Sequence, residues 1–224
     1  MDTKIIVCLA NSRRMSGRCI VGKEIKSKKW IRPISARETE KISEEEMSYK
    51  NGGIPNLLDI IKIPVKKHKP SPNQQENYLI NDKHCWEKIG EYNKNKLGLL
   101  LDSPEKLWES GCPSYQGIND RIPEDINAGN GESVYLIQPN SLTIKVAVEG
   151  AEFNNPKRKV RAEFKYNNKT YTLSVTDPSL EKEYLEKNNG SFELSVNNIY
   201  LCVSLGGIPY KNYYYKFVAS LIKV

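Results

Sequence analysis

Residues 157–166 alternate in a way that a half-buried β-strand satisfies and a helix does not. Val160, Ala162, Phe164 and Tyr166 fall on one side, Arg161, Glu163 and Lys165 on the other. Asn167-Asn168 follows, and asparagine tolerates the positive φ of a type I′ hairpin turn. Residues 169–176 then repeat the pattern with Tyr171, Leu173 and Val175. A chain that contains this hairpin must build a sheet with one buried face, and the remaining apolar runs are of the same short kind. Strands are expected at residues 4–10, 18–25, 30–34, 57–65 and 76–80, and again at 133–138, 142–148, 199–205 and 213–224. Helical signals are few and brief. Ser43-x-x-Glu46 forms a capping-box pattern that predicts a helix to about Lys50, Ser103-Pro104-Glu105 opens another through Leu107 and Trp108, and Asp177-Pro178 opens a third through about Lys187.

The elements fall into two sets: the first has five strands with a helix between the third and fourth, and the second reads strand, hairpin, helix, hairpin. That arrangement describes the OB-fold, a small Greek-key barrel, and the expected class is therefore all-β with short helices: two tandem OB-fold-like five-stranded barrels. The expected domains are 1–110, an OB-like domain with an acidic extension; 111–131, a linker or ordered loop rich in Gly, Pro, Asn and Asp; and 132–224, a second OB-like domain.

Charge is unevenly spread. Residues 1–72 hold 16 Lys/Arg against 8 Asp/Glu, residues 73–140 hold 6 against 11, and residues 141–224 hold 12 against 8. Lysine supplies 26 of the 34 cations, a bias that composition alone accounts for, whereas seven of the eight arginines fall in residues 13–37 and 158–161. Arginine offers a planar fork for phosphates and bases that lysine does not reproduce. Five cysteines, an odd number without C-x-x-C spacing, argue against zinc and against a disulfide framework. The longest apolar run near the N-terminus, residues 5–10, is too short for a signal segment or a membrane span. A cytoplasmic protein with no membrane partner, no metal and no cofactor is expected.

Several short strings occur in one order along the chain: Ile5-Ile-Val-Cys-Leu-Ala-Asn-Ser-Arg13 through Ser16-Gly-Arg-Cys-Ile20, Trp30-Ile-Arg-Pro-Ile34, Leu57-Leu-Asp-Ile-Ile61, Glu76-Asn77, Asn119-Asp-Arg121, Thr176-Asp-Pro178 and Leu201-Cys-Val-Ser-Leu205. Together they resemble the bacterial dual OB-containing domain family over nearly the whole chain. The resemblance implies two tandem OB-like barrels and a nucleic-acid role of a kind sometimes tied to defence or conflict. It supplies no catalytic residue. In Gly206-Gly207-Ile-Pro-Tyr210 this chain has glycine where the resemblance implies an acid.

The first candidate for function is the connection after the first strand, Asn11, Ser12, Arg13, Arg14, Ser16, Gly17 and Arg18, which combines guanidinium groups with hydroxyls and backbone N–H groups suited to phosphate oxygens. The alternative is a solvated hairpin whose arginines pair with Glu44, Glu45 or Glu46. Trp30 and Arg32 share strand parity and would make a stacking platform for an unpaired base, unless Trp30 is core and Arg32 covers it. Arg158 and Arg161 form a basic strand entry in the second unit. Tyr210, with Tyr213, Tyr214 and Tyr215, lies in or beside the loop between strands four and five, although alternation sends some of these rings to the core.

Catalytic motifs are missing: no G-x-x-x-x-G-K-[ST], G-x-G-x-x-G or G-x-S-x-G occurs, neither His68 nor His84 has a ligand partner at metal spacing, and the neighbours His84 and Cys85 would point apart on a strand. Asp59, Glu76 and Asp177 could hold a metal only if the fold gathers them. The expected function is non-catalytic binding of single-stranded or structured nucleic acid. A nucleotide or phosphate-metabolite sensor, or a protein-protein interaction module without a ligand, is the alternative.

Overall fold

The computed structural model describes residues 2–14, 17–126 and 132–224. The chain divides into two compact units, Met1–Leu101 with Gly131–Val134, and Asp102–Asn130 with Tyr135–Val224. Residues Ser103 to Ile126 therefore group with the second unit.

In the first unit β1 (Asp2–Arg14), β2 (Gly17–Glu24), β3 (Trp30–Ile34), β4 (Asp59–His68), β5 (Asn77–Ile80) and β6 (Glu87–Glu91) form one sheet. Its order is β1-β2-β3-β5-β4, and β1 also pairs with β4, so five strands close into a barrel while β6 lies outside on β4. The β3–β5 pairing is parallel. Apolar positions of alternate parity fill the interior: Ile6 and Cys8 from β1, Ile20, Ile31, then Ile61, Ile63 and Val65 from β4. A register shift at Cys8/Ala10 tightens β1 against β2. There a Cβ on Gly22 would lie 2.1 Å from the Val7 carbonyl oxygen, which requires glycine at that position.

The helix expected from Ser43 does not form. The capping box is present, with Ser43 N–H donating to Glu46 Oε2 and Glu46 N–H to Ser43 Oγ, but it closes a turn. The reason is the spacing of what must be buried. Ile42, Met47 and Tyr49 enter the barrel core, and intervals of five and two do not share one helix face. The strand β6, short and mostly exposed, gave no periodic signal.

The second unit contains β7 (Arg121–Pro123), β8 (Val134–Ile137), β9 (Ser141–Glu149), β10 (Lys157–Tyr166), β11 (Lys169–Val175), α1 (Pro178–Leu185), β12 (Gly190–Leu194), β13 (Ile199–Leu205) and β14 (Tyr213–Lys223). The sheet runs β12-β9-β10-β11-β14-β13-β8, with β7 on β14. Asn167 and Asn168 turn at φ 45° and 61°, as the hairpin required. In OB terms β9, β10 and β11 are strands one to three, and β14 is strand five, parallel to β11. The fourth strand is divided: β12 pairs with β9 and β13 pairs with β14. Asp177 caps α1, its carboxylate accepting from the Ser179 and Leu180 N–H groups at 2.9 and 3.2 Å. Leu180 and Tyr184 seat the helix on the core with Phe164, Tyr171 and Val218.

The helix expected after Ser103-Pro104 is also absent. The carbonyls of Pro104 and Glu105, which would begin its ladder, accept instead from Tyr166 Oη and Asn167 Nδ2 of the β10–β11 hairpin. Trp108 turns at φ 58°, and the segment continues as a strap along β11 and β14, bridging Ile118 to Thr172 and ending in β7. We expect Gly22→Ala to destabilise the protein by about 1–3 kcal/mol, because the barrel must open locally to admit a methyl group. Urea denaturation should show the midpoint fall with the slope unchanged.

Candidate nucleic-acid interface

The residues expected to form a loop at 11–18 are mostly strand. Arg13 lies directly across from Arg18, and Asn11 and Ser12 from Ile20 and Cys19. Asn11 and Ser12 are tied inward, to the Pro55 and Cys19 carbonyls. The Arg18 N–H donates to Ile42 O at 2.9 Å, and Gly17 sits where a Cβ would press within 2.9 Å of Lys41 Cβ, so this backbone is paired and covered. Arg13 points to solvent, and Arg18 reaches Glu44 at 3.4 Å. Ser16 and the Arg14 side chain lie outside the described residues. Strand pairing takes up the backbone at Arg18, and the Arg13 side chain is exposed.

Trp30 and Arg32 do share a face, since Ile31 between them points into the barrel, but that face is closed. Trp30 is 9% exposed and Arg32 only 2%. The Lys23 ammonium lies 4.9 Å above the Trp30 ring and donates to the Leu100 carbonyl at 2.7 Å. Arg32 donates through Nε to Glu76 Oε1 at 2.9 Å, through Nη1 to Cys19 Sγ at 2.7 Å and through Nη2 to Ser133 Oγ at 2.8 Å. Ser133 in turn donates to Glu76. Burial opposes the charge on Arg32, but the Cys19 sulfur and the Glu76 carboxylate outweigh it and raise its pKa. The expected stacking platform is thus corrected. All three nitrogens of the guanidinium are bonded within the protein, leaving no surface fork for a base.

Arg158 and Arg161 are likewise committed. Arg158 binds the exit of α1, donating to the carbonyls of Leu185 at 2.7 Å and Lys187, and to Asn189 Oδ1 at 3.0 Å. Arg161 forms a fork with Glu149 at 2.6 and 3.0 Å and lies 3.9 Å from Asp120. Glu149 neutralises Arg161, whereas Arg158 is exposed and bonds only uncharged acceptors, so its charge remains at the surface.

Tyr210 stands out from these. It is 62% exposed, at a two-residue turn in which Lys211 and Asn212 take φ 50° and 64°, and its backbone pairs with Tyr213. The Lys211 ammonium lies 5.6 Å from its ring. Behind the turn, the Arg121 guanidinium stacks 3.9 Å from the Tyr213 ring and donates to Tyr215 Oη at 3.3 Å and Pro113 O at 2.9 Å. Tyr210 and Tyr215 are 6.4 Å apart. The sequence marked the tyrosines but not Arg121 as part of this surface; Arg121 stood out only within the string Asn119-Asp-Arg121.

Beside it the strap is anchored by a buried lysine that sequence reasoning missed. Lys216 is 1% exposed, and its ammonium donates to the Glu109 carbonyl at 2.6 Å. Burial pushes its pKa down to about 7, against the pull of Asp120, Glu109 and Cys112. Asp120 accepts from Ser114 N–H at 2.8 Å, and its carbonyl accepts from Lys216 N–H.

The fold does not gather the acids considered for a metal. Asp59 accepts from Tyr49 Oη and Asn56 N–H, Glu76 from Arg32, and Asp177 caps a helix. Among the described residues no cluster of His, Cys, Asp or Glu could hold a metal ion, and no helix is long and apolar enough to cross a membrane.

The closed 1-2-3-5-4 barrel, with a second sheet repeating the parallel closure of strands three and five, defines an OB-fold protein. The chain belongs to the dual OB-containing domain family, whose model matches residues 4–221. Membership suggests ligand or nucleic-acid binding of the OB type and goes no further. No curated protein and no solved structure matches the chain.

Two outcomes follow from this geometry. Arg32→Ala strands the Glu76 carboxylate, and the expected loss of stability is about 3–5 kcal/mol, read by urea denaturation. For Lys216, the unfolded chain holds a proton that the folded chain lacks between pH 7 and the ordinary lysine value of 10.5, so this residue makes stability rise with pH across that window. Lys216→Met should flatten the rise, measured as urea midpoints near both ends of the window.

Proposed function

We propose that this is a non-catalytic nucleic-acid-binding protein of the bacterial cytoplasm that holds single-stranded or structured RNA or DNA at the β13–β14 turn. One observation carries the reading: Tyr210 is presented to solvent on a preformed turn beside Lys211, in front of the stack of Arg121 on Tyr213. Exposed rings with cations at their edges suit unpaired bases and the phosphates between them. Trp30 and Arg32, both buried, have no part in it.

The arm of β1 and β2 supports the reading from the first unit. Arg13 and Arg18 sit directly opposite each other on the two strands, and cross-strand like charges suit an anionic ligand. Net charge of +7 favours the same class of partner.

An electrophoretic shift panel of single- and double-stranded DNA and RNA at two salt concentrations tests it. Binding should weaken steeply with salt, and Arg13→Ala or Lys211→Ala should each reduce the slope by about one. Tyr210→Ala should cost about 1–3 kcal/mol on single strands. Binding to none of the four, or binding indifferent to salt, would overturn the proposal.

A further inference from the structure

The outer face of β9, β10 and β11 holds a second feature that is separate from the β13–β14 turn. The strap does not lie flat on this face. Between it and the strands is a cleft of about 270 Å³, lined by Gln116 of the strap and by Lys145, Glu149, Arg161, Glu163 and Thr172 of the strands. Tyr115, 70% exposed, lines it as well, and Phe153, 71% exposed, stands edge to face with Tyr115 at 6.1 Å between centroids.

These rings are held out by built turns. Phe153 ends a single 3₁₀ turn between Gly150 at φ 81° and Asn154 at φ 55°. Three backbone bonds close it: Phe153 and Asn155 N–H both donate to Gly150 O, and Asn154 N–H donates to Ala151 O. Tyr115 follows Ser114, whose N–H and hydroxyl are fixed on the Asp120 carboxylate. Two apolar rings kept in water by rigid backbone leave surface that a ligand can cover.

The lining narrows the ligand's chemistry. Its two cations are each matched by a carboxylate, Lys145 with Glu163 at 2.6 Å and Arg161 with Glu149 at 2.6 Å. The cleft is therefore neutral, and a phosphate would gain no net charge there. It offers hydrogen-bond donors and acceptors together: the Gln116 amide, the Thr172 hydroxyl bonded to Glu163 at 3.1 Å, and the remaining lone pairs of two carboxylates. The volume falls just under the roughly 300–1,000 Å³ of pockets for drug-sized molecules. A flat heteroaromatic ring with a mixed polar edge fits these limits. Charge returns only outside the cleft, where Lys157 and Lys159, of the same strand parity as Arg161, are exposed opposite Glu149 and Ala147.

We propose that this cleft binds one nucleobase, its edge read by Gln116, Glu163 and Thr172, its face stacked at Tyr115 and Phe153, and its phosphate directed to Lys157 and Lys159. The base can come from a single strand or from a free nucleotide, and the site does not rest on the β13–β14 reading.

The test is titration of the full chain into a single-stranded oligonucleotide carrying one 2-aminopurine and, separately, into 2-aminopurine riboside monophosphate, following quenching of the probe by stacking. Quenching is expected with the wild type in at least one arm, and Tyr115→Ala with Phe153→Ala should weaken it about tenfold or more. The pair Tyr115→Phe with Phe153→Tyr should restore it, and an unchanged thermal midpoint shows that the alanine variant is folded. Quenching by the nucleotide alone supports the cleft and identifies a free nucleotide as the ligand, while the β13–β14 proposal fails by itself. Absence of quenching in both arms, or quenching unaltered in the alanine pair, overturns the inference.

Discussion

In each unit the third strand of the OB arrangement lies parallel to the fifth, β3 beside β5 and β11 beside β14. Parallel neighbours cannot be joined by a tight turn, so the chain between them must leave the sheet and come back. In the first unit it returns as β4, which meets β1 and closes the barrel. In the second it passes through α1, β12 and β13. There β14 begins well before it reaches β11, which it meets only at Phe217 and Val218, and its leading residues Tyr213–Tyr215 are left with an open side that β7 fills. The stack of Arg121 on Tyr213 is a product of that offset.

The outward faces of both sets of strands are handled by the chain itself, in different ways. Over β2 and β3 the cover is close-fitting and polar. A buried guanidinium is stable there because it has three acceptors, one of them charged, and removal of Glu76 would leave the buried charge uncompensated. Over β9 to β11 the cover is a strap fixed at intervals, by Asn119 on Thr170, by Ile118 on Thr172 and by Lys216 on Glu109, and space remains between the fixed points. The same architecture thus gives one sealed face and one recessed face.

Local patterns in the sequence read well where the structure depends on local patterns. Alternation located the β10–β11 hairpin and its Asn-Asn turn, Asp177-Pro178 located α1, and parity correctly put Trp30 and Arg32 on one side of β3. What failed was decided at a distance. Arg32 is buried by Glu76 and Ser133, which lie 44 and 101 residues away, and no window around Trp30 carries that information. Ser43-x-x-Glu46 and Ser103-Pro104 are genuine helix-opening signals, yet the barrel core claimed the side chains after the first, and the β10–β11 hairpin claimed the carbonyls after the second. Tyr115 and Phe153 were legible only as aromatic residues in polar stretches, and their pairing depends on the strap's path.

The divided fourth strand has a consequence for how the second unit meets its surroundings. A closed barrel removes its own edges, but a sheet that ends in β12 on one side exposes a row of unpaired backbone groups to any passing strand. That edge is only five residues long, begins at a glycine with φ 159°, and carries Ser191 and Glu193 outward, while Phe192 turns back to rest against Tyr184. Shortness and an acidic side chain make it a poor template for strand addition, so this end of the sheet is protected against edge-to-edge association without a closing hydrogen-bond ladder.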